Sequence, residues 1–182
     1  MSLKSFLKSS ARYFNRFVVF RGNDTAYLRS LGMQIGNSHI SLRGVNVGSE
    51  PWLIKIGDQV TLTYGVILIT HDGASRVIRG KHPHLNQKFG NAYGPIIIED
   101  NCFIGAGTII LPGITIGCNT VVGAGSVVTK SIPANSVAIG VPARVVKSID
   151  EYEKKHLNSA IVPLQARDYE ELRAELTAHF QL

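Results

Sequence analysis

The side chains best suited to chemistry in this sequence lie in one segment, residues 71–94, which contains three histidines and four basic residues. The histidines are His71, His82 and His84. Imidazole is the side chain that gains and loses a proton near neutral pH, with an ordinary pKa of about 6.5, and it also binds zinc. The segment therefore predicts one of two sites: a general base that takes a proton from a substrate, or a metal centre.

A six-residue repeat surrounds this segment and predicts the fold. An aliphatic side chain recurs at every sixth position, and a second, mostly small column follows four residues behind it. The aliphatic column contains Ile98, Ile104, Ile110, Ile116, Val122 and Val128, and the second column contains Cys102, Thr108, Ile114, Thr120 and Ser126. Neither a helix nor an ordinary strand has this period, but a parallel β-helix does, because each six residues make one short strand and one corner. Glycines directly after aliphatic residues suit corners where the backbone turns tightly or lies against its neighbour; they are Gly105, Gly117 and Gly123.

The repeat divides the 182-residue chain into three parts. Residues 1–32 are a predicted N-terminal helical segment, residues 33–147 a predicted β-helix domain, and residues 148–182 a predicted C-terminal helical extension. Within the domain, residues 71–94 lack the repeat and are expected to project as a loop. A loop of this length inside a tight solenoid is uncommon unless it is functional or disordered, and its polar residues favour function.

The predicted helices at the two ends of the chain have different expected roles. Residues 3–20 combine an apolar face with a basic row, and residues 25–31 resemble a second, short helix. The first helix either flanks the solenoid with its polar face in solvent or attaches peripherally to a membrane, since basic amphipathic helices bind anionic headgroups. Two further helices, at residues 149–158 and 168–180, are expected to cover the apolar end of the repeat array.

Composition and motifs limit the partners and the cellular location expected for the protein. The net charge of +6 comes without an RNA- or DNA-reading motif, so no nucleic-acid partner is expected. No apolar run approaches the roughly 20 residues of a membrane span, and residues 1–20 lack a secretory signal. Cys102 and Cys118 fall inside the repeat rather than in a disulfide or metal pattern and are expected to be reduced. We therefore expect a cytoplasmic protein, held at the inner face of the membrane if its N-terminal helix binds there.

Four motifs of the repeat carry a family resemblance. They are Ile104-Gly105-Ala106-Gly107, Ile110-Leu111-Pro112-Gly113, the run from Val122 to Lys130, and Gly140-Val141-Pro142-Ala143. Over roughly residues 30–150 the chain resembles the hexapeptide-repeat acyltransferases, especially the bacterial sugar O-acetyltransferases of the capsular, lipopolysaccharide, galactoside and maltose branches. The resemblance implies a left-handed parallel β-helix, an exception to the right-handed crossover rule. It also implies a homotrimer with acetyl-CoA bound in clefts between subunits, and a sugar acceptor in surface polysaccharide biosynthesis.

The resemblance also assigns roles to individual residues. His71 matches the family's general base, which accepts a proton from a sugar hydroxyl as the oxygen attacks a thioester carbonyl, without an acyl-enzyme. No metal is expected in this mechanism. The small and cationic residues that match positions lining the coenzyme A groove are Ala106, Ala124, Thr129, Lys130, Arg144 and Lys147. The alanines leave room for the pantetheine arm, and the cations suit the pyrophosphate and 3′-phosphate. Phe103 and Val141 depart from the family pattern, where many members have Trp and Asn, and are expected to alter cofactor contacts only.

Two acidic residues are candidates for binding substrate or orienting His71. One coil is three hexapeptides long, and Glu50 precedes His71 by slightly more than that length. Glu50 is therefore expected near the same corner as His71. It could orient the imidazole or bind a sugar hydroxyl, and both roles stay open. Asp72 could hold the tautomer of His71 or contact substrate, although adjacent residues on an extended chain point to opposite sides.

Other functions compete with this one. An amino sugar or an antibiotic could be the acceptor, because acceptor choice lies in residues 73–94 and in the irregular first coil. A metal-dependent hydratase resembling the γ-class carbonic anhydrases would need three histidines on one zinc. The spacing of His71, His82 and His84 does not match that family. The last alternative is a non-catalytic β-helix scaffold that binds sugars, against which His71 and the coenzyme groove argue.

Overall fold

The computed structural model describes residues 24–37, 42, 44–85, 90–157 and 167–181. The amphipathic helix predicted at residues 3–20 lies outside these residues. Within them the helices are α1 (Asp24–Ser30), α2 (Ser75–Lys81), α3 (Ile149–Leu157) and α4 (Tyr169–Phe180), and short 3-10 turns lie at Pro51–Leu53 and Pro83–Leu85. The predicted helices at 25–31, 149–158 and 168–180 therefore agree closely with α1, α3 and α4.

The strands of the described residues are short and mostly occupy the repeat. In chain order they are β1 (Gln34–Ile35), β2 (Ile54–Ile56), β3 (Thr61–Leu62), β4 (Ile67–Leu68), β5 (His71–Asp72), β6 (Ala92–Tyr93), β7 (Ile96–Ile98), β8 (Phe103–Ile104), β9 (Ile109–Ile110), β10 (Thr115–Ile116), β11 (Val121–Val122), β12 (Val127–Val128), β13 (Ser136–Gly140) and β14 (Ala143–Ser148). From β7 to β12 each strand and its corner together make one hexapeptide, as the repeat predicts.

Three sheets contain all of these strands except β5 and β6, and the chain visits the sheets in turn. Their strands pair parallel, apart from β14. The first sheet has the order β1-β2-β7-β10, the second β3-β8-β11-β13 with β14 at its edge, and the third β4-β9-β12. Ile116 pairs with Ile98, Val122 with Ile104, and Val128 with Ile110, so paired positions lie three hexapeptides apart in the chain. The repeat is therefore a three-sided coil of parallel strands, with three hexapeptides in each turn.

The inserted segment leaves this register intact on both of its sides. Leu62 pairs with Ile104 and Leu68 with Ile110. The chain between the two members of each pair consists of segment 71–94 and the three hexapeptides of one turn. The segment is therefore a true insertion, after which the coil resumes at the phase where it stopped. It is not the bare loop expected from its lack of repeat, because β5 and β6 pair antiparallel at its base and α2 lies between them.

The two repeat columns form the core. Every member of the aliphatic column has 0% exposure, and the second column is buried as well. The hydroxyls of the second column are satisfied within the coil: Thr108 Oγ1 donates to Gly123 O at 3.2 Å, and Thr120 Oγ1 donates to Pro133 O at 3.1 Å. Small polar residues are tolerated there because buried polar groups are stable when they are hydrogen-bonded. Cys102 is buried and Cys118 partly so, and both are free thiols.

Corners of the coil use two devices. A Cβ at Gly105 would lie 2.4 Å from Ala124 N in the next turn, so close approach of backbones explains this glycine. At another corner Asn101, Asn119 and Asn135 have φ of 55, 53 and 57°, in the left-handed region that Asn tolerates better than most residues. Their side chains form a ladder, in which the Nδ2 of one donates to the Oδ1 of the next at 2.8 and 2.9 Å.

After Val128 the coil ends in two strands that are longer than those of the repeat. Strand β13 continues the second sheet parallel to β11, and β14 turns back antiparallel on β13. The chain divides into two compact units, residues 1–149 and 150–182. In the second unit α4 is capped by Asp168, whose carboxylate accepts from Glu170 N and Glu171 N. None of the helices within the described residues is both long and apolar enough to cross a bilayer.

Candidate active site

A contact between Glu50 and His71 forms the centre of the candidate site. His71 Nδ1 lies 2.9 Å from Glu50 Oε2. The first coil is slightly longer than the later ones. Ile35 pairs with Ile56 one turn later, and the number of residues between these two is the same as that between Glu50 and His71. Glu50 therefore lies one turn of the coil before His71, at the same corner, as expected from their spacing.

The Glu50 carboxylate is held by three donors. Thr70 Oγ1 donates to Oε2 at 2.6 Å, Ser49 Oγ donates to Oε1 at 2.7 Å, and His71 contacts Oε2. The hydrogen bonds from Thr70, then Ser49, then His71 lower the pKa of Glu50 from 4.5 to about 2. The carboxylate is therefore ionised throughout the neutral range, and each of its oxygens already accepts from a protein donor. Of the two roles left open for Glu50, this geometry favours orienting His71 over binding a sugar hydroxyl.

This contact sets the proton positions on the imidazole. An ionised carboxylate only accepts hydrogen bonds, so Nδ1 of His71 carries a proton and donates a hydrogen bond to Glu50. The opposite ring nitrogen, Nε2, is then left with a lone pair. The His71 side chain is 35% exposed, whereas that of Glu50 is 14% exposed. An acceptor can therefore reach the basic nitrogen while the orienting carboxylate stays shielded from water.

The base of the inserted hairpin fixes the position of His71. His71 pairs with Tyr93 across β5 and β6, and their rings are 5.5 Å apart. Gly94 N donates to Thr70 O at 3.0 Å and closes the insertion where it leaves the coil. Sequence reasoning missed Ser49, Thr70 and Tyr93. Ser49 directly precedes Glu50, and Thr70 directly precedes His71. Tyr93 lies near the end of the non-repeating segment. These positions were the only signal in the sequence that could have indicated the three residues.

The other polar candidates of the insertion lie apart from this contact. Asp72 Oδ1 accepts from Ala74 N at 2.7 Å and stabilises the turn that leads into α2. His82 and His84 follow α2 with their rings 5.9 Å apart. Within the described part of one protomer, no three His, Cys, Asp or Glu side chains converge as metal ligands.

The residues expected to line the cofactor groove lie on two edges of the coil. Ala106 and Ala124 share the edge between the second and third sheets, where Gly125 N donates to Ala106 O at 2.8 Å. Both alanines are exposed, and a Cβ at Gly107 or Gly125 would meet nothing within 4 Å. One turn earlier this edge carries the exposed Tyr64, whose backbone O accepts from Gly107 N at 3.1 Å. In the two turns with the alanines it is a strip of bare backbone and methyl groups. Its shape fits a narrow, flexible chain such as pantetheine.

The cationic candidates lie near the end of the coil. Thr129 and Lys130 follow β12 on the edge between the third and first sheets and are exposed. Two turns before Thr129, the same edge carries Thr70. The inserted segment that begins with His71 starts from this edge. Arg144 and Lys147 lie on β14, where Arg144 is exposed and its Nη1 donates to Ala143 O at 2.8 Å. Exposed cations of this kind can bind phosphate groups.

Within one protomer, therefore, the imidazole and the alanine strip do not share an edge. The third sheet separates them, with about five residues of extended chain, or about 16 Å, between the two edges. A site that uses both groups would need the alanine edge of a second copy beside the His71 edge of the first.

Comparison with known proteins adds to this geometry. A family model described as the hexapeptide repeat of succinyl-transferase matches residues 95–130. Protein CapG of Staphylococcus aureus is 48% identical to this chain over 135 residues, which are 73% of this chain and 76% of that protein. The putative colanic acid biosynthesis acetyltransferase WcaF of Escherichia coli strain K12 is 36% identical over 137 residues, 69% of this chain and 75% of that protein.

Solved structures give the same relationship. A galactoside acetyltransferase in complex with coenzyme A aligns over 89% of this chain and 88% of its own, with a TM-score of 0.57 and 25% identity. A maltose O-acetyltransferase from Clostridium difficile 630 aligns over 79% of this chain and 84% of its own, with a TM-score of 0.54 and 32% identity.

Proposed function

Because this chain belongs to the hexapeptide-repeat acetyltransferases, as its identity to relatives over about three quarters of their length shows, we propose that it transfers acetyl from acetyl-CoA to a sugar hydroxyl with His71 as general base. The observation that carries this proposal is the contact of 2.9 Å between His71 Nδ1 and the ionised Glu50. That contact leaves Nε2 free and basic beside an exposed surface.

His71 moves one proton in the proposed reaction. A sugar hydroxyl is almost wholly protonated at neutral pH and is a poor nucleophile, so Nε2 accepts its proton as the oxygen attacks. Glu50 stabilises the imidazolium that forms and holds the ring in one tautomer, and Thr70 and Ser49 hold Glu50. Acetyl-CoA supplies the acetyl group as an activated thioester, so no acyl-enzyme is required.

The coil surface is proposed to bind acetyl-CoA through the groups described above. The strip of Ala106 and Ala124 fits the pantetheine arm, because larger side chains would block access to the backbone. Lys130, Arg144 and Lys147 are proposed to bind the phosphates, and Thr129 to hydrogen-bond nearby. Coenzyme A in the structure of the galactoside acetyltransferase supports this assignment.

We propose that the coil is left-handed and that the protein is a homotrimer with its sites between subunits. The hand is supported by the family to which the chain belongs. The trimer is supported by the separation of the His71 edge from the alanine edge, since only an adjoining copy can bring them together. A monomeric enzyme with full activity would contradict it.

The acceptor is proposed to be a sugar of a surface polysaccharide or of its lipid-linked precursor. Support comes from the colanic acid biosynthesis acetyltransferase and from the galactoside and maltose acetyltransferases, whose names specify carbohydrate acceptors. A lipid-linked acceptor is held at a membrane, and we propose that this enzyme acts at the inner, cytoplasmic face. Attachment through the basic segment 3–20 would be supported if removing that segment abolished binding to anionic liposomes.

The decisive experiment is a measurement of free thiol released from acetyl-CoA in the presence of candidate acceptors. We expect neutral sugars to stimulate release, and mass spectrometry of the product to show one added acetyl group removable by mild base, as expected of an ester. An acetyl group stable to mild base would place it on the nitrogen of an amino sugar or an antibiotic. Release that no acceptor stimulates would contradict the proposed function and favour a binding scaffold.

A further inference from the structure

A groove beside the candidate site has the character of a carbohydrate-binding surface. It has a volume of about 370 Å³ and opens between helix α1 and the first coil. Its apolar lining includes Tyr27, Leu28 and Trp52, and its polar lining includes Asn46 and Ser49. A pocket that is mostly apolar, with a few placed polar groups, is typical of sites for small organic ligands.

The groove adjoins the Glu50–His71 contact through Ser49. Ser49 and Pro51, which both line the groove, are the residues on either side of Glu50. Ser49 Oγ also donates to Glu50 Oε1 at 2.7 Å, so one residue belongs to the groove wall and to the support of the carboxylate. A ligand in the groove would therefore lie beside the residue that supports Glu50, next to the candidate site.

Trp52 presents a flat apolar face in this groove. Its side chain belongs to a residue that is 59% exposed, although large apolar residues usually avoid such exposure. Its position is nonetheless fixed, since it lies in the 3-10 turn Pro51–Leu53 that Leu53 N closes by donating to Glu50 O at 3.0 Å. An exposed indole can pack against the C–H face of a sugar ring, while neighbouring polar groups bind its hydroxyls.

The opposite wall is also held in place. Arg29 of α1 donates from Nη2 to Ile35 O at 3.0 Å, which ties the helix to strand β1. A Cβ at Gly32 would lie 3.2 Å from Trp52 Cβ, so the chain leaving α1 packs closely on the tryptophan. Both walls are thus preformed, which lowers the cost of ordering them when a ligand binds.

We propose that this groove binds the sugar residue next to the one that is acetylated. The acceptor is then an oligosaccharide or a growing glycan chain rather than a free monosaccharide. This inference rests on the proposed function, because it extends the acceptor site of the same enzyme.

The test uses the fact that Trp52 is the only tryptophan in the sequence. Its fluorescence is titrated, without acetyl-CoA, with lactose, cellobiose and diacetylchitobiose and with the corresponding monosaccharides galactose, glucose and N-acetylglucosamine. We expect a saturable change with at least one disaccharide at concentrations where its monosaccharide produces none. We also expect Trp52→Ala to lower the ratio of kcat/KM for that disaccharide to kcat/KM for the monosaccharide by about tenfold, the effect of losing one aromatic contact.

The control is Tyr169→Ala, which removes an exposed aromatic residue that does not line the groove. It should leave the disaccharide preference unchanged. No fluorescence change with any disaccharide, together with an unchanged preference in Trp52→Ala, would overturn the inference while acetyl transfer itself remained. A protein that acetylates no sugar at all would instead overturn the proposed function, so the two failures are distinguishable.

Discussion

Replacement of His71 by alanine should lower kcat for acetyl transfer by about 10²–10⁴-fold, the range that a positioned general base contributes. The variant loses the nitrogen that accepts the hydroxyl proton, whereas the alanine strip and the cations proposed to bind acetyl-CoA are unchanged. We therefore expect KM for acetyl-CoA to change little. Thiol release with a saturating sugar acceptor measures kcat, and calorimetric titration with coenzyme A measures the cofactor affinity directly.

The matched control for this variant is His82→Ala. His82 lies in the same inserted segment, after helix α2, and its ring neighbours His84 rather than Glu50. It should retain wild-type kcat and the unfolding temperature of the wild type, whereas His71→Ala loses one donor to Glu50 and should unfold at a slightly lower temperature while remaining folded. Equal thiol release from wild type and His71→Ala would remove His71 from the mechanism and leave Glu50 without an assigned role.

The central coil could be predicted from the sequence because its signal is local and repeated. Each turn places an aliphatic residue inward at the same phase, and Ile104, Ile110 and Ile116 are all fully buried as the pattern requires. The period also predicts the strand pairing, since three hexapeptides return the chain to the same side.

The end of the coil and the insertion could not be predicted in the same way. Strand β14 pairs antiparallel with β13, and its residues follow no six-residue period that would indicate the partner. The hairpin of β5 and β6 joins positions on either side of a long segment without a repeat. Pairing of this kind depends on tertiary contacts, because β-propensity is strongly affected by the neighbours that a strand packs against.

The candidate site was predicted in its principal residues but not in its supporting ones. The spacing of Glu50 and His71 placed them near one corner, although the first coil turned out to be longer than three hexapeptides. The donors Thr70 and Ser49 were missed because Ser and Thr are common corner residues, and their spacing carries no signal for a carboxylate. Only the coordinates show that one Glu50 oxygen accepts from two side chains and the other from a third.

Replacement of Glu50 by alanine should lower kcat by about 10²-fold, since a partner that orients a catalytic histidine typically contributes on this scale. Without the carboxylate, Nδ1 of His71 has no fixed acceptor, so the ring can rotate and can move its proton to Nε2, where it cannot act as a base. We expect KM for the acceptor to change less than kcat, because both oxygens of Glu50 are occupied by protein donors. A larger effect on KM would favour the alternative that Glu50 binds the sugar.

Thr70→Val provides the graded control for this prediction. It removes the hydroxyl that donates to Glu50 Oε2 at 2.6 Å but leaves the carboxylate and its contact with His71. We expect it to lower kcat by less than Glu50→Ala does. Nitrogen-15 spectra of His71 should show Nδ1 protonated in wild type and in Thr70→Val, and a mixture of tautomers in Glu50→Ala. An unchanged tautomer in Glu50→Ala would contradict an orienting role.

The acid limb of the stability curve tests the same carboxylate independently of catalysis. Because hydrogen bonds lower the pKa of Glu50 in the folded state from 4.5 to about 2, its ionisation stabilises the fold above pH 4.5. This contribution declines as the pH falls from 4.5 towards 2, where the folded-state carboxylate takes up a proton.

The neutral amide of Glu50→Gln has no such contribution to lose. The difference in unfolding temperature between wild type and Glu50→Gln should therefore narrow as the pH falls from about 4.5 towards 2. A difference that stayed constant down to about pH 2 would mean that the three donors do not hold an ionised Glu50, and the assigned tautomer of His71 would lose its physical basis.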